Sequence, residues 1–211
     1  MTAVIFDCDG TLVDSEPLAR SAWKRALAPY GYALTDADAE ASVGLPYARV
    51  HAYFAGLANL PDAEAFWTEF SGQLFTLIDS DLVLFDDAIV AARVLRERGV
   101  PVAVASSSPH ERLQRTLGRA GLLEAFDVVV SGDEVAHGKP APDMFLLAAS
   151  RLGVDPAACV VIEDSPPGVQ AGLAAGMFTL AVCRVPGTEA SLAAADRVVD
   201  TVSADAILEA A

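Results

Sequence analysis

The sequence predicts an α/β protein, a doubly wound parallel sheet interrupted after its first strand by a small all-helical insert. Three observations predict it: short apolar runs alternate with amphipathic segments, glycines stand directly behind those segments, and one stretch near the N-terminus has helical patterning without strand signals. At 211 residues, 53% hydrophobic and 20% charged, the chain can bury a sizeable core, either as one domain or as one core with an insert.

Strands are expected at 3–6, 100–105, 128–130, 159–162 and 179–183, with a weaker one at 197–199. These runs are continuous, rich in Val and Ala, and not alternating, which suits parallel strands covered on both faces. Amphipathic patterns between them predict helices at 88–98, 111–120, 143–152 and 169–175. Gly99, Gly121, Gly153 and Gly176 follow these helices, where a helix C-terminus favours a residue at positive φ. From about Ser15 to Ser80 the rhythm changes. Helical segments at 16–29, 36–42, 47–57 and 62–78 are separated by Gly31, Gly44-Leu45-Pro46 and Leu60-Pro61. Roughly 65 residues is too long for an ordinary strand-to-helix connection. The expected organisation is therefore a core of residues 1–14 and 81–211, with 15–80 as a helical insert able to close over the tip of the first strand.

Composition narrows the function. A net charge of −15 argues against nucleic acid, whose phosphates need Lys and Arg. An anionic substrate would have to be drawn in by local positive charge. No apolar stretch reaches the roughly 18 residues that span a membrane, and Met1-Thr2 leads straight into a strand with no basic segment of the secretory kind. Cys8, Cys159 and Cys183 lie in or beside apolar runs without a CxxC or zinc spacing. They read as small buried residues of a reducing cytoplasm. Cys8 stands between two aspartates, which should raise its pKa and make it a poor nucleophile.

Asp7 and Asp9 end the first apolar run and are followed by Gly10-Thr11. Two carboxylates at i and i+2 on a strand tip repel each other unless a cation or proton sits between them. Oxygen ligands of this kind suit Mg²⁺, which binds through one or two carboxylates plus substrate phosphate. In open α/β sheets ligands bind beyond the strand C-termini. There the later strands carry Ser106-Ser107-Ser108, then Ser131-Gly132-Asp133 with Gly138-Lys139-Pro140 close behind, and Glu163-Asp164-Ser165. Four acids, a hydroxyl and a cation thus converge on one rim.

Lys139 is one of only two lysines, beside twelve arginines, and sits between Gly138 and Pro140-Ala141-Pro142. A compact ammonium is what that position selects. Clustered carboxylates are costly: two unit charges at about 4 Å cost about 4 kcal/mol at an effective dielectric of about 20. Mg²⁺ and Lys139 would offset that and leave room for a phosphoryl group. Asp7 is the natural nucleophile. Asp9 can protonate the leaving alkoxide and later activate water.

These residues also resemble a family. Asp7-x-Asp9-Gly-Thr-Leu-Val-Asp-Ser is similar to the first motif of the haloacid dehalogenase superfamily of phosphohydrolases. Ser106 resembles its second motif, Lys139 in Gly-Lys-Pro-Ala-Pro-Asp its third, and Glu163-Asp164-Ser-Pro-Pro-Gly-Val its fourth. The resemblance covers nearly the whole chain and extends to the helical-cap phosphatases and the beta-phosphoglucomutase-like subgroup. It implies a Rossmann-like core with a helical cap after the first motif. It implies Mg²⁺ held by the Asp7 side chain, the Asp9 main-chain carbonyl and Asp164, with Glu163 supporting the metal shell. Ser106, with Ser107 beside it, and Lys139 would bind phosphoryl oxygens, and Gly10 and Thr11 would shape the turn next to them.

Departures from the pattern narrow the activity. The dehalogenases proper and the phosphonate-cleaving relatives lack an acid at the position of Asp9. The latter also use a cap lysine, whereas Lys24 here falls in a surface-like helical pattern. Sugar phosphomutases tend to carry Arg three residues after the cap Gly, where Gly44 is followed by Tyr47, with Arg49 two further on. Many sugar-phosphate members have a cap His where this chain has Ala19. The expected function is a Mg²⁺-dependent phosphohydrolase for a small phosphorylated metabolite, working through an aspartyl-phosphate. The alternatives are a sugar phosphomutase and, on weaker grounds, a phospho-accepting signalling module. Receiver domains share the acids, hydroxyl and lysine, but are about half this length and lack the insert and the second acid. The sequence does not name the substrate or the oligomeric state, though a monomer is compatible with it. His110 is open to two readings, substrate contact or helix-start surface residue; Arg49 to two more, a contact to a substrate carboxylate or second phosphate, or a solvated arginine. Asp14 and Glu16 could be hinge or substrate residues, His51 and His137 read as ordinary, and Trp23 and Trp67 as core.

Overall fold

The computed structural model describes residues 2–42 and 47–209. Gly44-Leu45-Pro46, expected to separate two helices, lies outside them. Internal contacts divide the chain into Met1–Asp14 with Val83–Ala211, and Ser15–Leu82.

In the first unit β1 (Ala3–Phe6) runs into the Asp7–Leu12 turn, and a short strand β2 (Val13–Asp14) leads out to the helices of the second unit, α1 (Glu16–Leu27), α2 (Asp36–Ser42), α3 (Tyr47–Ala55) and α4 (Ala63–Asp81). The chain returns through β3 (Val83–Leu84) to α5 (Asp86–Glu97), β4 (Val102–Ala105), α6 (His110–Arg119), β5 (Val128–Val130) and α7 (Asp143–Leu152). It finishes with β6 (Cys159–Glu163), α8 (Pro166–Ala174), β7 (Phe178–Val182), β8 (Arg197–Val199) and α9 (Ala204–Leu208).

The six-stranded sheet has the order β5-β4-β1-β6-β7-β8, with every neighbouring pair parallel. The chain builds outward from β1 to β4 and β5, then crosses to β6 and continues through β7 and β8. That reversal makes the tip of β1 the topological switch point, where such sheets form a ligand crevice. All four residues of β1 are fully buried. Because successive side chains face opposite sides of a sheet, both faces are covered. Ile5, Ala103 and Val161 from three adjacent strands pack with Met144, Phe145 and Ala148 of α7 and Ala171 of α8. This is the doubly wound parallel sheet the apolar runs predicted and the Rossmann-like core the resemblance implied.

Differences at the element ends have local causes. β4 starts at Val102, not residue 100, because Pro101 has no N–H for a ladder; its carbonyl still accepts from Val4 N–H at 3.0 Å. Helix α8 starts at Pro166, three residues earlier than its apolar pattern, because proline suits a first turn. Ser165 Oγ caps it by accepting from Gly168 N–H at 3.2 Å. The four glycines expected behind helices all have positive φ, between 66° and 75°. β2 and β3 pair antiparallel, Val13 with Leu84 and Asp14 with Val83, and tie the two ends of the insert together at its base. Two-residue strands carry no periodicity, so the sequence gives no sign of them.

The second unit is helical in all its described elements. Its core gathers around Trp23, whose ring lies 4.4 Å from Phe70 and 5.2 Å from Phe54, centroid to centroid. Trp67 is partly buried and meets the Tyr47 ring edge-on at 4.7 Å. A buried carboxylate belongs to this unit as well. Asp38 Oδ2 accepts from Thr35 N–H at 3.0 Å, Thr35 Oγ1 at 2.6 Å and Tyr32 Oη at 2.9 Å, while Oδ1 accepts from Tyr53 Oη at 2.7 Å. His51 is buried and its Nε2 lies 3.0 Å from the Pro61 carbonyl, an ordinary packing contact.

Candidate active site

The neighbours β4, β1 and β6 bring their C-terminal tips side by side. Asp7 follows Phe6, and its N–H continues the ladder to Ile162 O at 2.9 Å. Ser106 follows β4 and donates its N–H to Val130 O at 3.0 Å. Glu163 is the last residue of β6. Parallel register thus sets Asp7 level with Glu163 on one side and Ala105 on the other, with Ser106 the next residue along.

Lys139 joins them from the loop before α7. Its ammonium donates to Asp7 Oδ1, to Glu163 Oε1 at 2.7 Å and to Ala105 O at 3.2 Å, with the side chain almost wholly buried. The other oxygen of Glu163 accepts from Asp164 N–H at 2.8 Å, Ser165 N–H at 2.9 Å and Ser165 Oγ at 2.9 Å. Glu163 therefore fixes both the lysine and the turn that presents Asp164. Asp164 Oδ1 accepts from Thr11 Oγ1 at 3.3 Å.

Two glycines shape this rim. Gly10 has φ +86°, and a Cβ there would run into the Asp164 carboxylate. A Cβ on Gly168 would run into the Glu163 carboxylate.

Asp9 faces different partners. Its Oδ2 accepts from Ser108 Oγ at 2.7 Å and Ser106 Oγ at 3.2 Å, and its Oδ1 accepts from Arg112 Nη2 at 2.8 Å. Ser107, expected beside Ser106 as a phosphate ligand, is exposed, and the second buried hydroxyl is that of Ser108. Beyond a strand end, alternate residues still share a side, so Ser106 pairs with Ser108. Arg112 was not singled out by sequence reasoning, nor was Arg184. Arg184 donates to Asp87 Oδ2 at 2.8 Å and Thr11 O at 2.9 Å and lies over the Phe85 ring, pinning the acidic turn from behind. His110 and Arg49 are exposed, as is Lys24. His110 contributes its N–H, which donates to Asp133 Oδ2 at 2.7 Å.

The electrostatics are unbalanced. Four carboxylates, Asp7, Asp9, Glu163 and Asp164, share the rim with two cations, Lys139 and Arg112. Burial pushes the Asp7 carboxyl up to about 7, with the charges of Glu163 and Asp9 adding to it and Lys139 opposing. Burial, then Glu163 and Asp7, likewise raise Asp164 well above the ordinary carboxylate range. Burial disfavours the Lys139 ammonium, yet Asp7 and Glu163 outweigh it and hold its pKa above the usual lysine value. The Cys8 thiol is pushed up by burial and by Asp9 and Asp7, as expected from its position.

The donor set fits a hard divalent cation. Asp7, Glu163 and Asp164 each offer an oxygen, and these atoms lie within 4.8 Å of one another. The acids crowded here raise one another's pKa, a strain that such an ion would relieve, and all-oxygen ligation suits Mg²⁺. Glu163 already spends both oxygens on Lys139 and the Asp164 turn, which makes it a support for the other two acids.

A parallel α/β sheet whose strand tips carry acids, a buried lysine and hydroxyls is the kind of centre in which an α/β enzyme handles an anionic group beside a divalent ion. The chain belongs to the haloacid dehalogenase-like hydrolases, whose family model matches residues 1–176. It is 35% identical over 176 residues to fructose-1-phosphate phosphatase YqaB of Escherichia coli K12, covering 82% of this chain and 92% of that protein. It is 34% identical over 205 residues to the bifunctional riboflavin kinase/FMN phosphatase of Arabidopsis thaliana, covering 95% of this chain but 53% of that longer protein. Among solved structures, a candidate beta-phosphoglucomutase from Thermotoga maritima is 31% identical with a TM-score of 0.80, over 99% of this chain and 97% of that one. Among the described residues no helix is long and apolar enough to cross a membrane.

Proposed function

We propose that this chain is a Mg²⁺-dependent phosphatase that removes phosphate from a small phosphorylated metabolite through an aspartyl-phosphate on Asp7. The observation that carries the reading is the buried Lys139, bound to Asp7 and Glu163, beside three acids whose oxygens lie within 4.8 Å of one another. Such a rim favours a divalent ion and the phosphoryl group it would bind. The phosphatase names of its relatives point the same way.

In this reading the Asp7 carboxylate attacks phosphorus, and the ester oxygen leaves with a proton from Asp9. Lys139 and the Ser106 hydroxyl hold the phosphoryl oxygens. Asp9, now a carboxylate, takes a proton from water, which attacks the acyl-phosphate and releases inorganic phosphate. Mg²⁺, held by Asp7, Asp164 and the Asp9 main-chain carbonyl with Glu163 in support, would neutralise charge on the transferring group. Gly10 and Thr11 keep the turn close to Asp164. The helical unit interrupts the core directly after the acidic turn, a chain position that supports the role of a substrate-selecting cap. Three free, buried cysteines support a reducing compartment such as the cytoplasm.

The test is a panel of phosphorylated metabolites with Mg²⁺, read as released inorganic phosphate. Turnover of at least one sugar phosphate or small phosphorylated acid is expected, abolished by EDTA, restored by Mg²⁺, and accompanied by an acid-stable, base-labile phosphoenzyme. Hydrolysis that persists in EDTA, or no turnover across the panel, would overturn the assignment. Likeness to the Thermotoga maritima structure favours a second reading, a phosphomutase. In that case phosphate would move between substrate positions without release.

A further inference from the structure

Arg112 stands where a cation is out of place. It is the third residue of α6, in the first turn, where the helix dipole favours acids. Its side chain is only 19% exposed, and it reaches back to the first-motif turn to hold Asp9 Oδ1 at 2.8 Å. The opposite oxygen of the same carboxylate is held by Ser108 and Ser106. Ser108 N–H in turn donates to Ser106 Oγ at 3.1 Å, so the Ser106 hydroxyl is anchored to the backbone of Ser108. Asp9 is the most accessible acid of an ion pair on this rim, at 27%. Left alone it would sample several rotamers.

We infer that Arg112 is a positioning residue for Asp9, and that Ser108 is its partner in that task. The inference rests on the reading of Asp9 as the proton donor and acceptor. A group that must deliver a proton to one oxygen and later take one from water needs a fixed direction, and a misplacement of about 1 Å can cost about a hundredfold. The guanidinium contributes a charge-assisted hydrogen bond from Nη2 to Oδ1, and with the serine hydroxyls on Oδ2 it holds the carboxylate from both ends. The α6 first turn thereby belongs to the reaction centre.

The test is a cycle of Arg112→Met and Asp9→Asn with saturating Mg²⁺, followed by rapid mixing. Two substrates are used: p-nitrophenyl phosphate, whose leaving group needs no proton, and the fastest alkyl phosphate from the metabolite panel. Arg112→Met should keep KM within about twofold and keep the p-nitrophenol burst near one equivalent at the wild-type rate. It should slow phosphoryl transfer from the alkyl phosphate, and phosphoenzyme hydrolysis, by about 10–100-fold. In the Asp9→Asn background the same change should have no further effect on either rate. Arg112→Lys should recover part of the loss. Ser108→Ala, a smaller perturbation of the fold, should give the same pattern more weakly. Equal losses with and without Asp9, or a higher KM for alkyl phosphates at unchanged kcat, would overturn the role. A wild-type protein that forms no phosphoenzyme would instead fail at the reading beneath it.

Discussion

Asp7 and Asp38 are equally buried, each 6% exposed, yet the fold treats them in opposite ways. Asp38, in the helical unit, is surrounded by donors from Thr35, Tyr53 and Tyr32, and these hold its pKa well below the ordinary carboxylate range. Asp7, at the tip of β1, shares the Lys139 ammonium with Glu163 and feels the charges of Glu163 and Asp9, so burial raises its carboxyl to about 7. A buried acid whose lone pairs are all answered is a fastener. A buried acid set among other acids stores unfavourable energy that a ligand can relieve. The difference separates a structural carboxylate from the one proposed as nucleophile without reference to any motif.

The sharpest way to break the comparison is to neutralise each acid in turn. Asp7→Asn should lower phosphatase turnover by more than about a thousandfold and leave thermal stability equal or improved, because it removes repulsion. Asp38→Asn should leave turnover near wild type and lower Tm by several degrees, because it takes acceptors from two tyrosines and a threonine. Paired activity and melting measurements decide it; a loss of turnover in Asp38→Asn, or a collapse of the fold in Asp7→Asn, would erase the distinction.

Lys139→Met should sharpen it next. Removing the cation leaves Asp7 and Glu163 buried without their counter-ion, a change that costs about 3–5 kcal/mol. Chemical denaturation should show that loss in the metal-free protein, and Mg²⁺ should recover only part of it. A variant as stable as wild type would mean that the acids do not depend on the ammonium.

A smaller effect lies in the pH dependence of stability. Asp38 titrates below its ordinary 3.8 in the folded chain, so its contribution is present above that value and fades as the solution is acidified. Asp7 is raised from 3.8 to about 7. The metal-free fold therefore binds extra proton across that window and loses stability as pH rises through it. Mg²⁺ binds the deprotonated site, so the Tm gain it gives should be larger at about pH 8 than at about pH 5. An equal gain at both values would place the ion elsewhere.

Much of this was legible in the sequence, for a definite reason. The parallel strands are buried on both faces, so they appear as unbroken apolar runs, and each run ends at the polar residues that form the rim. Asp7, Asp9, Ser106, Glu163 and Asp164 could all be located by that rule, and Lys139, in the loop beyond β5, by the scarcity of lysine in the chain. Arg112 could not, since one arginine in a strongly amphipathic helix has the pattern of a solvated face. Its position in the first turn, against the helix dipole, was the available signal. Ser108 was hidden among three consecutive serines, where only the strand alternation distinguishes inward from outward residues. Asp38 was legible only in part: Thr35, three residues before it, has capping-box spacing and the two bond each other reciprocally, but nothing in one dimension says that Tyr32 and Tyr53 join them.

Gly10 and Gly168 carry a consequence for how this protein tolerates change. Neither has any chemistry of its own, yet the Asp164 and Glu163 carboxylates occupy the volume that a methyl group would take at those two positions. The backbone is a mould, and the acids are cast against it. In a saturation-mutagenesis survey these two inert residues should prove as unforgiving as the acids they shape, since even alanine would displace a carboxylate of the rim.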